Sequence, residues 1–142
     1  MKIEVQLNSD FQKTTSYFFD LLEQQISAEI GKPTKLRVNL EYKTKQLTKL
    51  NRICECNAKI VEFEKGNLYT IQITNGSNTN EMKYEFKPTK EGVVVVYSEN
   101  FYSNKKLVEK NSKLMEFVLS YFNKRKIKKK FKLLEKEINR AN

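Results

Sequence analysis

The chain has 142 residues, 39% hydrophobic and 31% charged, with 27 Lys or Arg against 17 Asp or Glu and no histidine. That length admits one core, burying about 68–70% of the unfolded surface, and recurrent Val, Ile, Leu, Phe and Tyr exclude a disordered chain. No window approaches the roughly 18 apolar residues of a membrane-spanning helix, and the lack of histidine removes every conventional catalytic triad.

The net charge of +10 is unevenly placed. Residues 103–142 hold 13 Lys or Arg against 4 Glu, whereas residues 1–102 hold 14 against 13. The body is neutral and the C-terminal segment carries the base. Lys outnumbers Arg 23 to 4, a compositional bias that accounts for choosing Lys but not for gathering the surplus in one segment. Cys54 and Cys56 share a strand face and are poorly placed to bridge each other. As zinc ligands they would need two more partners, and the chain has no histidine and no third cysteine, so neither a metal nor a cofactor is expected. Met1-Lys2-Ile3-Glu4-Val5-Gln6 alternates charge with apolar residues and lacks a signal peptide's apolar run, which predicts cytoplasmic residence.

Along the chain, Ile3, Val5 and Leu7 alternate with polar residues as a half-buried strand does. Ser9 and Gln12 fit a capping box, and Phe11, Phe18, Leu22, Ile26 and Ile30 form a helical stripe ended by Gly31 and Pro33. The weak formers Thr14, Thr15 and Ser16 admit a split into two shorter helices. From Thr34 to Tyr102 the period is two. Leu36, Val38, Leu40 and Tyr42 begin one strand, and Cys54 to Phe63 form a second in which the apolar parity flips near Ile60, as at a bulge. Tyr69 to Ile73, Met82 to Phe86 and Val93 to Tyr97 follow, with turns at Glu64-Lys65-Gly66-Asn67 and Asn75-Gly76. The Val93–Tyr97 run is apolar on both faces, which predicts a central or doubly covered strand.

The last 38 residues return to helical spacing. Leu107, Leu114, Met115, Val118, Leu119 and Phe122 make one stripe. Ile127, Phe131, Leu134 and Ile138 make another, lying about 170° around the helix from the first. One straight helix of that length would run about 57 Å. A kink or break between Tyr121 and Lys126 is expected, or a distal half that leaves the body and packs against a partner, and the second stripe is a candidate homodimer seam through Ile127, Phe131, Leu134 and Ile138.

Strand, helical segment, antiparallel meander and long final helix is the order of the START-like (SRPBCC) superfamily. More narrowly, Met1-Lys2-Ile3-Glu4-Val5, Gly76-Ser77-Asn78-Thr79 before Tyr84-Glu85-Phe86-Lys87-Pro88, and the run from Lys124-Arg125-Lys126 resemble an uncharacterised family found mainly in Gram-positive bacteria. The resemblance covers nearly the whole chain and carries no activity with it. It implies an α+β helix-grip fold over residues 1–142 as a single domain. In that fold a curved antiparallel sheet of about six strands wraps a long C-terminal helix, here basic over about 124–141. A cavity that holds hydrophobic or amphiphilic ligands often lies between sheet and helix.

Two sets of candidate site residues follow. Tyr42, Tyr69, Tyr84, Phe86, Tyr97, Leu114 and Val118 are the candidate walls of a cavity for a hydrophobic small molecule or lipid, although sheet-facing aromatics equally fill plain cores. Lys124, Arg125, Lys126, Lys128, Lys129, Lys130 and Lys132 put seven basic residues in nine positions. They suit a polyanion, either nucleic acid or anionic membrane, or simply a solvated face. Glu99 either points into the cavity or faces water. The aspartates are only Asp10 and Asp20, and no carboxylate or lysine spacing marks a catalytic residue, so no catalytic set is assigned.

Overall fold

β1 (Lys2–Leu7) alternates as its sequence requires, with Ile3, Val5 and Leu7 buried and their neighbours exposed. The computed structural model describes the backbone of residues 2–47, 53–76, 78–103, 106–107 and 113–140, and side-chain surroundings for all of these except 46–47, 103, 106–107 and 113–123. α1 (Phe11–Ile30) is one uninterrupted helix of 20 residues rather than two. Its cap is Asp10, not the expected Ser9. The Asp10 carboxylate accepts from the Lys13 N–H at 3.0 Å, while Ser9 is turned inward to Thr14, hydroxyl to hydroxyl at 2.7 Å. Thr14 and Thr15 are tolerated because both are buried with partners, Thr15 donating back to the Phe11 carbonyl. Gly31 closes the helix in the left-handed region at φ 93°, its N–H donating to Ser27.

Five strands then run in series as β2 (Glu41–Leu47), β3 (Ile53–Glu64), β4 (Leu68–Asn75), β5 (Asn78–Pro88) and β6 (Val93–Ser103), with a two-residue β7 (Lys106–Leu107) on β6. The sheet is antiparallel in the order β1-β6-β5-β4-β3-β2. β6 is an interior strand, flanked by β1 and β5, in keeping with its doubly apolar run. The bulge at Ile60 is present. The β3–β4 register shifts between Ile60 and Glu62, which bends the strand where the sheet must curve.

Two expectations fail locally. Leu36 and Leu40 do not lie in a strand. They flank a turn with Asn39 at φ 70° and the Leu40 N–H donating to Arg37, and both bury into the core before β2 begins at Glu41. Leu107 belongs to β7, paired with Tyr102, and not to the final helix.

α2 (Lys113–Arg140) is one continuous helix of 28 residues, about 42 Å long at 1.5 Å per residue. The expected break between Tyr121 and Lys126 is absent, and the distal half does not leave the body. Phe131 is fully buried, Leu134 and Ile138 nearly so, and Ile127 packs against the same core. The residues proposed as a homodimer seam therefore find their partner inside their own chain. Phe131 lies 6.1 Å from Phe18, 6.2 Å from Tyr84 and 6.3 Å from Phe86, ring centre to ring centre. The proximal stripe from Leu114 to Phe122 lies outside the described side chains.

On one flank of the buried stripe α2 is pinned to the end of β1. The Asn8 N–H donates to the Glu135 carboxylate at 2.6 Å, Asn139 donates to the Asn8 carbonyl at 3.1 Å, and Lys132 donates to the Gln6 carbonyl at 3.1 Å. The β5–β6 turn abuts the same junction. A Cβ on Gly92, whose φ is 148°, would fall 2.6 Å from the Leu7 carbonyl oxygen and closer still to that of Ser9. Phe131→Ala is expected to destabilise the fold by about 3–5 kcal/mol, whereas Leu133→Ala, at an exposed position of the same helix, should change stability by no more than about 0.5 kcal/mol. Gly92→Ala should cost at least about 2 kcal/mol through backbone strain and overlap. Urea denaturation midpoints of the three variants measure all of this.

Candidate functional site

Register places one row of large side chains across the sheet: Ile3, Tyr97, Tyr84, Tyr69 and Phe63 on successive neighbouring strands. Opposed residues of an antiparallel pair share a face, and Phe18 of α1, 5.6 Å from Tyr84, marks this face as the one the helices cover. Two rows further along, Ile73 faces Asn80. The rings interlock, with Tyr69 stacked on Tyr84 at 5.7 Å and Tyr84 tilted against Tyr97 at 5.0 Å.

The two helices do not cover the face completely. Between them runs an open groove of about 530 Å³, within the 300–1,000 Å³ of small-molecule sites. Its floor is Tyr69, Ile71 and Ile73 of β4 with Tyr84 of β5. Its α1 wall is Tyr17, Phe18, Leu21, Leu22 and Gln25. Its α2 wall is Lys126, Lys129, Lys130, Leu133 and Glu137, with Phe131 and Leu134 beneath. Tyr17, Leu21 and Leu133 remain 40–53% exposed at the rim. At 100° per residue the α2 wall lies about 110° from the buried stripe, on the flank opposite the anchor to β1.

Of the expected cavity walls, Tyr69 and Tyr84 line the groove. Phe86 and Tyr97 are buried beside it as core, and Tyr42 is half-buried on β2. Leu114 and Val118 lie outside the described side chains. Of the basic set, Lys126, Lys129 and Lys130 border the groove, Lys124, Arg125 and Lys128 are exposed elsewhere on α2, and Lys132 faces Glu135 at 3.7 Å. The α1 wall was missed. Its signal is the doubling of the stripe at Tyr17-Phe18 and Leu21-Leu22, an apolar arc wider than one row of contacts needs.

Glu99 puts a carboxylate on the concave face. It lies half-buried opposite Met82 and accepts from the Tyr97 hydroxyl and from Asn80, both at 2.9 Å. Burial pushes Tyr84 up to about 12, helped by the Glu99 charge. Burial likewise raises Tyr42 to about 12, with Glu29 adding to the effect and the hydrogen bond from Tyr69 opposing it. Tyr69 and Tyr97 are raised further, first by burial and then by neighbouring groups. On the rim, Lys130 exposes part of its length, yet partial desolvation over the apolar groove lowers its pKa from the ordinary lysine value. Among the described residues no cluster of three His, Cys, Asp or Glu could hold a metal ion, and no helix is long and apolar enough to cross a membrane.

Residues 1–120 match the family model described as "Domain of unknown function (DUF3284)". The chain belongs to that family. No curated protein matches the sequence. Among solved structures, Ara h 8.0201 is similar at 13% identity and a TM-score of 0.64, over 100% of this chain and 97% of that one. Protein TTHA0849 from Thermus thermophilus is similar at 13% identity and 0.63, over 100% and 98%. Protein MLL2253 from Mesorhizobium loti is similar at 10% identity and 0.60, over 100% and 98%. These likenesses show a shared helix-grip fold, the α+β class expected of the DUF3284 chain.

The buried and half-buried tyrosines set an alkaline limit on stability. Unfolded tyrosines ionise near pH 10, whereas Tyr42 and Tyr84 hold their protons to about 12. The stabilisation is therefore complete below about pH 10 and lost as pH rises from there through about 12. Melting temperatures between pH 8 and 12 are expected to fall steeply across that window, and Tyr84→Phe is expected to flatten the fall.

Proposed function

We propose that this domain is a non-enzymatic binding module for a hydrophobic or amphiphilic small molecule held in the groove between the sheet, α1 and α2. The observation that carries the reading is the groove of about 530 Å³, open to solvent and floored by the apolar faces of Tyr69, Ile71, Ile73 and Tyr84, with Tyr17, Leu21 and Leu133 exposed at its mouth. Apolar surface gathered in a concavity gains free energy when an apolar ligand removes it from water. On the concave face the Tyr97 hydroxyl and the Asn80 amide both donate to Glu99, which ties that carboxylate into the wall, while Asn80 Oδ1 is buried with no partner among the described residues. In this reading residues 1–142 act as one START-like unit, in the cytoplasm, in keeping with Cys54 and Cys56 carrying no disulfide.

A second reading, electrostatic contact with nucleic acid or an anionic membrane, draws on the solvent exposure of all seven basic residues between Lys124 and Lys132. It predicts affinity that falls steeply with salt, whereas the apolar groove predicts affinity nearly independent of salt for a neutral ligand. The groove reading is tested with a homologous series of straight-chain alcohols in calorimetric titration. Each added methylene is expected to tighten binding about fourfold, from about 0.8 kcal/mol per buried CH₂, until the groove is full. Ile73→Trp, which places an indole on the floor, should weaken binding at least about tenfold while the melting temperature stays near that of the parent. A flat series, or an Ile73→Trp protein that binds as the parent does, sinks the reading.

A further inference from the structure

The mouth of the groove is not electrically neutral. Lys126, Lys129 and Lys130 stand at i, i+3 and i+4 on α2, hence on one face of the helix, and all three border the groove together with Leu133 one turn further on. Among the described residues none of the three takes part in an ion pair, whereas on the same helix Lys132 pairs with Glu135 and Arg140 with Glu137. The α1 wall contributes no charge, since Tyr17, Phe18, Leu21, Leu22 and Gln25 are all uncharged. Among the described residues the one acid on the groove, Glu137, lies seven residues beyond Lys130, about 10 Å along the helix axis, and faces Arg140 at 3.9 Å. At physiological ionic strength that separation exceeds the screening length of about 8 Å. One end of an apolar trough is therefore positive and the rest is not.

We propose that the groove selects a single-chain anionic amphiphile of the fatty-acid kind, its alkyl chain lying on Tyr69, Ile71 and Ile73 and its carboxylate held by Lys126, Lys129 and Lys130. The inference rests on the ligand-binding reading above and adds the charge of the ligand and its direction in the site. The α2 wall from Lys126 to Glu137 spans about 16 Å, room for one extended chain along the helix. Lysine ammoniums on flexible stems act as point charges rather than as a planar fork, so they read the sign of a head group more than its shape. The lowered pKa of Lys130 agrees with an ammonium kept partly out of water over the apolar trough, where an anionic partner gains more than it would in bulk solvent.

The test compares three probes with the same chain, dodecanoate, dodecanol and dodecyltrimethylammonium, each below its micelle-forming concentration and titrated into the full chain at neutral pH. Dodecanoate is expected to bind about tenfold tighter than dodecanol, the sum of three exposed or half-exposed charge contacts, and the cation weakest. The triple variant Lys126→Gln/Lys129→Gln/Lys130→Gln should lose that tenfold advantage while binding dodecanol as the parent does, which also shows that it is folded. Added salt should erode the dodecanoate preference and leave dodecanol unchanged. Equal binding of all three probes overturns the charge selection and leaves the cavity standing. Binding of none overturns both, and sedimentation at the same concentrations then tells whether a second copy of the chain fills the groove.

Discussion

The structure depends on covering one face of one sheet. The row Ile3, Tyr97, Tyr84, Tyr69 and Phe63 crosses five strands on the concave side, and each side chain of that size forfeits about 1.5–3 kcal/mol if it is left facing water. α1 supplies Phe18 and Phe19, and α2 supplies Phe131. Phe18 sits within 6.1 Å of Tyr84, Phe86 and Phe131, ring centre to ring centre. Every other feature is a consequence of how two rods lie on a bent surface. They meet it along lines, and the strip between the lines is the groove.

The curvature that creates this geometry has a local cause in β3. One extra residue between Ile60 and Glu62 shifts the register against β4 and turns the strand's outer part toward the helices. The same bend explains how Ile60 comes to be fully buried and takes part in fixing the preceding turn, its carbonyl accepting from Asn39 and its N–H donating to Leu40. Leu36 and Leu40, which share the alternating period of the next strand, are thereby drawn into the core as a turn. Burial decided between the two states that their sequence allowed.

What the sequence made legible was period and parity. The alternation in β1, the flip at Ile60 and the doubly apolar run of β6 are all properties of neighbouring residues, and each appears in the fold where the pattern puts it. Partnership was not legible. The stripe Ile127, Phe131, Leu134 and Ile138 announces that some surface must cover it, but an apolar arc carries no label distinguishing a second copy from the chain's own sheet. Length and the offset of the two stripes argued for a break, yet α2 is continuous and its distal stripe lies on the chain's own core. For Glu99 the single-residue odds favoured water. Its neighbours on that face, Tyr97 two residues back on the same strand and Asn80 on β5, give a carboxylate enough donors to remain on the concave side. The α1 wall of the groove went unread because a stripe of five residues already satisfied the helical period, and the extra width at Tyr17 and Leu21 has no meaning until the position of α2 is known.

α2 divides its surface into three parts, and the division explains why base and groove coincide. Taking Ile127, Phe131, Leu134 and Ile138 as the centre, Lys132, Glu135 and Asn139 lie about 110° to one side at 100° per residue, and Lys126, Lys129, Lys130, Leu133 and Glu137 about 110° to the other. The first flank is fixed by hydrogen bonds to Gln6 and Asn8, which sets the rotation of the helix about its own axis. Once that rotation is set, the second flank has nowhere to point except over the strip that α1 leaves open. A lysine on that flank is held against apolar surface whatever its ultimate role, its stem lying on the groove and its ammonium at the edge. A helix chosen only for solubility would place its charge opposite the core, at the far side from both flanks. Here three of the seven clustered bases sit where the apolar surface is exposed, so the electrostatic and hydrophobic features that composition presents as separate are two properties of one face.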